Sequence, residues 1–123
     1  VTDNGGGIAP ANYEKLTMKH YTSKLSDFAD LTSVATFGFR GEALSSLCAL
    51  AELTVQTAHG DEDHGTEIKY DKGGAVASKG PCAHKRGTTV RLDKLFAEWP
   101  VRHREMKRNI KKEFGRMVTL LQA

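Results

Sequence analysis

Three short segments of alternating apolar and polar residues limit the fold of this chain more than any other feature. Residues 53–57, 66–70 and 88–92 each place an apolar or threonine side chain at every second position. Such alternation is typical of strands that bury one face. DKGG at residues 71–74 is a hairpin-turn signal, and a weaker strand pattern follows around Val76. The pattern predicts an antiparallel meander with one buried face.

Helical spacing is present on both sides of this strand region. Residues 10–18 predict a short helix with Pro10 near its first turn. Residues 41–51 predict a second helix with an apolar face at Ala43, Leu44, Leu47 and Leu50. The last segment predicts a third helix, whose apolar stripe consists of Met106, Ile110, Phe114, Met117 and Leu121. Together these elements predict an α+β domain, an antiparallel sheet covered by helices.

Length, composition and charge exclude several classes of protein. The 123 residues fit one domain, and no run approaches the roughly 18 apolar residues of a membrane-spanning helix. Cys48 and Cys82 are too few for a disulfide scaffold and favour a reducing compartment. Residues 101–123 carry seven Lys and Arg against two Glu, whereas residues 1–60 carry four basic and six acidic residues. This asymmetry predicts a local surface for an anionic partner.

DNGGGI at residues 3–8 is the first candidate binding motif. A carboxylate such as Asp3 at a strand end can accept a hydrogen bond from an exocyclic amine. Glycines behind it let the flat face of a ligand approach the backbone, because no Cβ intervenes. The same residues also suit an ordinary tight turn, since Asp-Asn-Gly is common turn chemistry. The motif alone leaves both interpretations open.

GFRGEAL at residues 38–44 is the second candidate. Glycines that lead directly into a helix present free N–H groups and the positive helix end, which favour phosphate. The segment is not a Walker A loop, because GxxxxGK[ST] occurs nowhere in the chain. A loop–helix junction with glycines for packing is the alternative.

Hydroxyl groups supply two weaker candidates. Thr22, Ser23 and Lys24 lie in a polar, irregular segment that is either a lid closing on phosphates or a solvated loop. Thr88 either meets a ligand or lies at a sheet edge. The remaining clusters do not predict a metal site. DEDH at residues 61–64 is interpreted as a solvated hairpin tip, and CAH at residues 82–84 offers two of the four ligands of structural zinc.

In this order and spacing, the motifs resemble those of the MutL-homologue mismatch-repair ATPases, which belong to the GHKL group with gyrase, the Hsp90 chaperones and histidine kinases. DNGGGI resembles the family's DNGxGI motif, and GFRGEAL is similar to the MutL signature at every residue. GTTV at residues 87–90 resembles its GTxV element, and KHYTSKL at residues 19–25 resembles its lid segment. SSLCALAELTVQT (residues 45–57) and PVRHREMKRNIKKEFGRM (residues 100–117) are most similar to the post-meiotic-segregation branch.

The resemblance implies a GHKL-type (Bergerat) sandwich, in which an antiparallel or mixed sheet is covered by helices. It implies that residues 1–101 belong to a GHKL ATPase domain and that residues 102–123 form a basic helix leading toward a second, transducer domain. ATP and Mg²⁺ are the implied cofactors, with Asp3 holding the adenine amine. The implied nucleotide-binding residues are Asp3, Gly5, Gly7, Thr22, Ser23, Lys24, Arg40, Gly41, Glu42, Ala43, Leu44 and Thr88.

The resemblance also implies that the family's catalytic and metal-binding residues lie outside this chain. The family's catalytic Glu and Mg²⁺-binding Asn lie on a helix upstream of DNGxGI, and the lysine that reaches the γ-phosphate belongs to the second domain. The chain is therefore expected to be an N-terminally truncated part of the ATPase domain, with no catalytic residue or metal ligand of its own. Attack by water on the γ-phosphate needs a base and a metal ion. The full-length protein is therefore expected to hydrolyse ATP, whereas this polypeptide alone, which lacks both groups, is not.

For the whole protein, the resemblance implies a nucleotide-gated switch in nuclear DNA mismatch repair. ATP would close the lid and bring together the N-terminal domains of a heterodimer with an MLH-type subunit, and the closed heterodimer would clamp double-stranded DNA. MutS-type mismatch-recognition proteins are further implied partners, and no membrane is involved. The alternative is a DNA-binding scaffold subunit with a catalytically silent nucleotide site. The basic face of the last helix either contacts DNA or is solvated, and its candidate DNA-binding residues are Arg104, Lys107, Arg108, Lys111 and Lys112.

Overall fold

The computed structural model describes residues 1–18, 43–61 and 64–123. In these ranges the chain forms, in order, β1 (Thr2–Asp3), two short 3-10 helices (Pro10–Asn12 and Lys15–Thr17), α1 (Ala43–Leu50), β2 (Glu52–Ala58), β3 (Gly65–Tyr70), β4 (Val76–Cys82), β5 (Gly87–Asp93) and α2 (Pro100–Gln122). This combination of one sheet with helices confirms the predicted α+β class. None of the described helices has both the length and the apolar character needed to cross a membrane.

The five described strands form one antiparallel sheet in the order β1-β5-β2-β3-β4. The predicted meander holds for β2, β3 and β4, but β5 returns to the other side of β2 instead of following β4. β5 pairs with the whole of β2, from Glu52 opposite Asp93 to Ala58 opposite Gly87. β4 contains Gly80 and Pro81 and is exposed along much of its length, which suits the edge position better than the centre.

The buried face of the sheet carries the apolar core. Leu53, Val55 and Ile68 are almost completely buried, and Cys48 of α1 and Tyr70 pack against them. These residues are the inward positions of the alternating pattern in β2 and β3, so the predicted strand faces are confirmed. α1 covers this face and lies against β2.

Polar residues replace the apolar ones at one end of the same face. Thr57 lies opposite Thr88 of β5, and Thr88 lies opposite Asp3 of β1. Because directly paired residues of antiparallel strands share a face, these three side chains form a polar row across β2, β5 and β1. Thr57 and Thr88 are buried, whereas Asp3 is exposed. A buried polar row of this kind must have hydrogen-bond partners.

The segment from Pro10 to Thr17 forms two 3-10 helices, so the prediction of a single helix over residues 10–18 was wrong. Its two ends are fixed by contacts with the sheet. The Ile8 N–H donates to Thr57 Oγ1, and Thr17 Oγ1 donates to the carbonyl of Gly74 in the β3–β4 turn. So short a segment gains little from cooperative helix formation, and the two anchors determine its path.

The hydroxyl of Tyr70 ties this segment to the core. Tyr70 Oη donates to the backbone carbonyl of Tyr13 at 2.6 Å, and both residues are buried. Burial raises the pKa of Tyr70, and the nearby Cys48 and Tyr13 add to the effect. The folded protein therefore keeps this proton at a pH where the unfolded side chain, with a pKa of about 10, ionises.

We expect Tyr70→Phe to lower the free energy of unfolding by about 1–3 kcal/mol, because the Tyr13 carbonyl loses its buried donor. Denaturant unfolding at neutral pH measures this loss. Above about pH 10 the stability of the native protein should fall as the unfolded Tyr70 ionises, and the variant should lack that component. Identical denaturation midpoints at neutral pH would contradict the assignment.

α2 extends from Pro100 to Gln122, so the predicted last helix is present but begins two residues before the expected start at residue 102, with proline in its first turn. Its first turn is anchored by His103, whose N–H donates to the Trp99 carbonyl and whose Nδ1 lies 3.3 Å from the Leu95 carbonyl. The apolar stripe has the expected spacing, but it is not buried: Ile110 is 51% exposed and Phe114 is 60% exposed. The described residues therefore leave this stripe, like the basic face, open to solvent.

Candidate functional site

The polar row ends at Asp3, where β1 turns into the glycine-rich segment. Oδ1 of Asp3 accepts the N–H of Gly5 at 2.9 Å, which closes a tight turn. Among the residues that the structure describes, Oδ2 has no hydrogen-bond partner. The turn interpretation and the binding interpretation of DNGGGI are therefore compatible, because the turn uses one carboxylate oxygen and leaves the other available.

The glycines after Asp3 have different surroundings. A Cβ on Gly6 would meet no atom within 4 Å, and one on Gly5 would contact only the Asp3 carboxyl group. This part of the turn therefore presents bare backbone beside the Asp3 carboxylate. Gly7 differs, because its φ is +76° and a Cβ would lie 2.0 Å from the carbonyl oxygen of Ala58. Gly7 is required by close backbone packing against the end of β2.

Thr57 lies at the centre of the site. Its side chain is 0% exposed. Its Oγ1 accepts the Ile8 N–H at 2.9 Å, donates to the Gly87 carbonyl at 3.1 Å and lies 3.0 Å from Thr88 Oγ1. These contacts join the end of the glycine-rich turn to β2 and to the start of β5. Sequence reasoning missed Thr57, because an inward threonine in an alternating strand is not distinctive.

The opposite face of the sheet is polar as well. Thr2 Oγ1 lies 3.0 Å from Thr89 Oγ1, and Nε2 of His84 lies 2.8 Å from the same Thr89 oxygen. Nδ1 of His84 contacts the Lys85 carbonyl. Both ring nitrogens of His84 are therefore already engaged, which disfavours the ring as a metal ligand. The described residues contain no group of three His, Cys, Asp or Glu side chains able to hold a metal ion.

Neither cysteine has the environment of a reactive thiol. Cys48 is buried in the core, and burial, with a smaller contribution from the Asp71 carboxylate, raises its pKa. Burial also raises the pKa of the Cys82 thiol, with a smaller contribution from Glu67. Because the thiolate is the nucleophile, raised pKa values make both side chains poor candidates for covalent chemistry.

The structure brings together only part of the predicted site. Asp3, Gly5, Gly7 and Thr88 lie at one end of the sheet. Ala43 and Leu44 begin α1, and Leu44 packs against the core. The other predicted nucleotide-binding residues lie outside the described residues; they are Thr22, Ser23, Lys24, Arg40, Gly41 and Glu42.

Solved structures with similar folds belong to DNA repair proteins. The N-terminal domain of a DNA repair protein matches 98% of this chain and 33% of its own chain, with 42% identity and a TM-score of 0.79. The Aquifex aeolicus MutL ATPase domain complexed with ADP matches 84% of this chain and 32% of its own, with 24% identity and a TM-score of 0.58. The chain thus has the GHKL fold of a MutL ATPase domain, as the motifs predicted.

Curated relatives match the chain over its whole length, although no family model matches it. Mismatch repair endonuclease PMS2 of Gallus gallus and of Homo sapiens are each 54% identical over 123 residues. DNA mismatch repair protein PMS1 of Arabidopsis thaliana is 52% identical over the same length. The chain spans only 13–14% of the length of these relatives. It belongs to the MutL homologues of DNA mismatch repair, in the post-meiotic-segregation branch.

Proposed function

We propose that this chain supplies the adenine site and part of the phosphate site of a MutL-type ATPase. The polar row of Asp3, Thr88 and Thr57 carries the proposal, because it interrupts the buried apolar face of the sheet beside an exposed stretch of bare glycine backbone. Asp3 Oδ2, which has no hydrogen-bond partner among the described residues, is an acceptor suited to an exocyclic amine. The open backbone at Gly6 leaves room for the flat face of a base.

The phosphates would bind at the start of α1. Free N–H groups and the positive end of a helix favour phosphate, and Ala43 and Leu44 are in the first turn of this helix. Arg40, Gly41 and Glu42 would extend the same phosphate site, and Thr22, Ser23 and Lys24 would form a lid over it. The similar fold of the MutL ATPase domain complexed with ADP supports this arrangement.

Mg²⁺ does not fit the residues described in this chain, since they contain no group of three His, Cys, Asp or Glu side chains that could hold a metal ion. We therefore assign it no ligand here. In our proposal, the metal ligand and the general base for water come from other parts of the protein, and this polypeptide alone does not turn over ATP. Its role is to bind and orient the nucleotide.

In the whole protein, nucleotide binding would act as a switch. ATP would close the lid and bring together the N-terminal domains of a heterodimer with an MLH-type subunit. The closed heterodimer would clamp double-stranded DNA in the nucleus and act with MutS-type mismatch-recognition proteins. The relatives named as mismatch repair proteins support this assignment. Residues 1–101 would form the ATPase part, and residues 102–123 would lead into a transducer domain that covers the apolar stripe of α2.

The basic face of α2 is the proposed DNA contact. The helix from Pro100 to Gln122 has no buried residue, so a polyanion can approach the cations of its basic face. The exposed cations of this face are Arg104, Lys107, Arg108, Lys111 and Lys112. Few aromatic residues lie among them, which favours contact with the backbone of a duplex over stacking on single-stranded bases.

We expect the affinity of the intact protein for duplex DNA to fall roughly a hundredfold between 50 and 200 mM salt, if the basic face neutralises about four phosphates. Replacing Lys107 and Lys111 with Gln should reduce the slope of log affinity against log salt by about two. A fluorescence titration at several salt concentrations measures both quantities. Salt-independent affinity, or an unchanged slope in the double variant, would contradict contact through this face.

ATP turnover by the intact protein distinguishes the switch from its alternative. A switch that cycles requires hydrolysis, whereas a scaffold subunit with a silent site binds nucleotide and DNA without turnover. We expect turnover that stops when this segment carries Asp3→Asn. Absence of turnover in a protein that still binds duplex DNA would establish the scaffold alternative.

A further inference from the structure

The Thr57 hydroxyl has a complete set of hydrogen bonds. A threonine hydroxyl offers one proton and two lone pairs. The Ile8 N–H, the Gly87 carbonyl and the Thr88 hydroxyl lie 2.9, 3.1 and 3.0 Å from Thr57 Oγ1. Because the side chain is 0% exposed, no solvent competes for these positions. Three neighbours therefore account for the full capacity of this oxygen.

The chemistry of the neighbours fixes the direction of each proton. The Ile8 N–H can only donate, and the Gly87 carbonyl can only accept. The Thr57 proton therefore points to Gly87, and one Thr57 lone pair receives the Ile8 proton. The second lone pair is left for Thr88, whose hydroxyl must donate to Thr57. The remaining side of Thr88 Oγ1 presents only lone pairs.

Thr88 thus has the same polarity as Asp3. The two residues are directly paired across β1 and β5, so their Cβ atoms lie about 5 Å apart on the same face. An ionised carboxylate is an acceptor without a proton to donate. Together, Asp3 and Thr88 offer acceptors only. They complement a group that presents two N–H donors and oppose one that presents an oxygen.

Adenine and guanine differ in this respect at the six position of the purine. Adenine carries an amine with two protons, whereas guanine carries an oxygen that would face the lone pairs of Asp3 and Thr88. We infer that Thr57 is a positioning residue that sets a preference for adenine over guanine, by holding the Thr88 proton away from the ligand. This inference rests on the nucleotide site proposed above and identifies what would make that site selective.

The test compares non-hydrolysable imido analogues of ATP and GTP by calorimetric titration of the intact protein. Thr57→Val removes the acceptor that holds the Thr88 proton, so the Thr88 hydroxyl can rotate and donate to a guanine oxygen. We expect the ratio of ATP to GTP affinity to fall about tenfold in this variant. Thr57→Ser keeps the hydroxyl and is the matched control, with a ratio within about twofold of the native protein.

The ratio separates positioning from a structural role. A merely structural defect in Thr57→Val would weaken both nucleotides in proportion, and an unchanged ratio would overturn the inference while leaving the nucleotide site intact. A native protein that binds neither analogue would overturn both proposals. Equal native affinity for the two analogues would overturn the inference alone.

A second variant covers the case in which Thr57→Val does not fold. Thr88→Val removes the acceptor itself, in a side chain of similar volume. We expect the affinity for the ATP analogue to fall about tenfold and that for the GTP analogue to stay within about twofold. Proportional loss of both affinities would overturn the inference, because Thr88 would then not distinguish the bases.

Discussion

Replacing Asp3 with Asn is expected to weaken ATP binding by about a hundredfold. The substitution removes the negative charge and replaces one acceptor oxygen with an NH₂ donor, which would face the protons of the adenine amine. A hydrogen bond to a charged group contributes about 1.5–3 kcal/mol, and about 1.4 kcal/mol is tenfold in affinity. The fold should persist, since the amide oxygen of Asn can still accept the Gly5 N–H that closes the turn.

Binding of a non-hydrolysable ATP analogue measures this effect without reference to turnover. Asp93→Asn is the matched control, because Asp93 is also a strand carboxylate but forms an exposed ion pair with Arg91 on the opposite face of the sheet. That variant should bind the analogue like the native protein and lose at most about 1 kcal/mol of stability. If Asp3→Asn bound the ATP analogue with the affinity of the native protein, Asp3 would not be part of the nucleotide site.

The strands could be predicted from the sequence because a strand has a period of two. The alternation around Leu53, Val55 and Ile68 identifies the buried face directly, and these residues are the core. The same pattern does not say which strands pair. The position of β5 beside β2 depends on the fit of seven residue pairs distant in sequence, so a meander was an equally reasonable reading of the pattern.

Only those residues of the candidate site that belong to one contiguous sequence motif could be predicted. Asp3 and its glycines form a contiguous turn whose chemistry is readable from the sequence. Thr57 was not predictable, because its role comes from three contacts with segments 30 or more residues away. The role of Thr57 becomes visible only when the pairing of β1, β5 and β2 brings Ile8, Gly87 and Thr88 next to it.

The predictions for the first and the last helix had different outcomes for a related reason. The spacing of the stripe in α2 is a local property, so a helix at the end of the chain was predicted, although its observed start at Pro100 was not. The path of residues 10–18 is set instead by contacts with the sheet at Thr57 and Gly74, which local propensity does not contain. Exposure of the α2 stripe was also unpredictable, since spacing shows which residues share a face and not what covers it.

Gly7→Ala is expected to destabilise the protein by at least about 3 kcal/mol. At φ +76° a non-glycine residue is strained, and the added Cβ would lie 2.0 Å from the Ala58 carbonyl oxygen and 2.6 Å from its carbon. Both neighbours are backbone atoms at the end of a paired strand, so no side chain can rotate to make room. Relief would require the turn to move away from β2, which would also break the bond from the Ile8 N–H to Thr57.

Gly6→Ala is the matched control, one residue away in the same turn. Its Cβ would meet no atom within 4 Å, and Gly6 is not among the described residues with positive φ. The alanine should therefore be neutral or stabilise by up to about 1 kcal/mol, because it restricts the unfolded chain. Thermal unfolding of the two variants without nucleotide compares them directly. Equal unfolding temperatures would show that the turn does not pack against Ala58, and the alignment of Asp3 with Thr88 would then need another explanation.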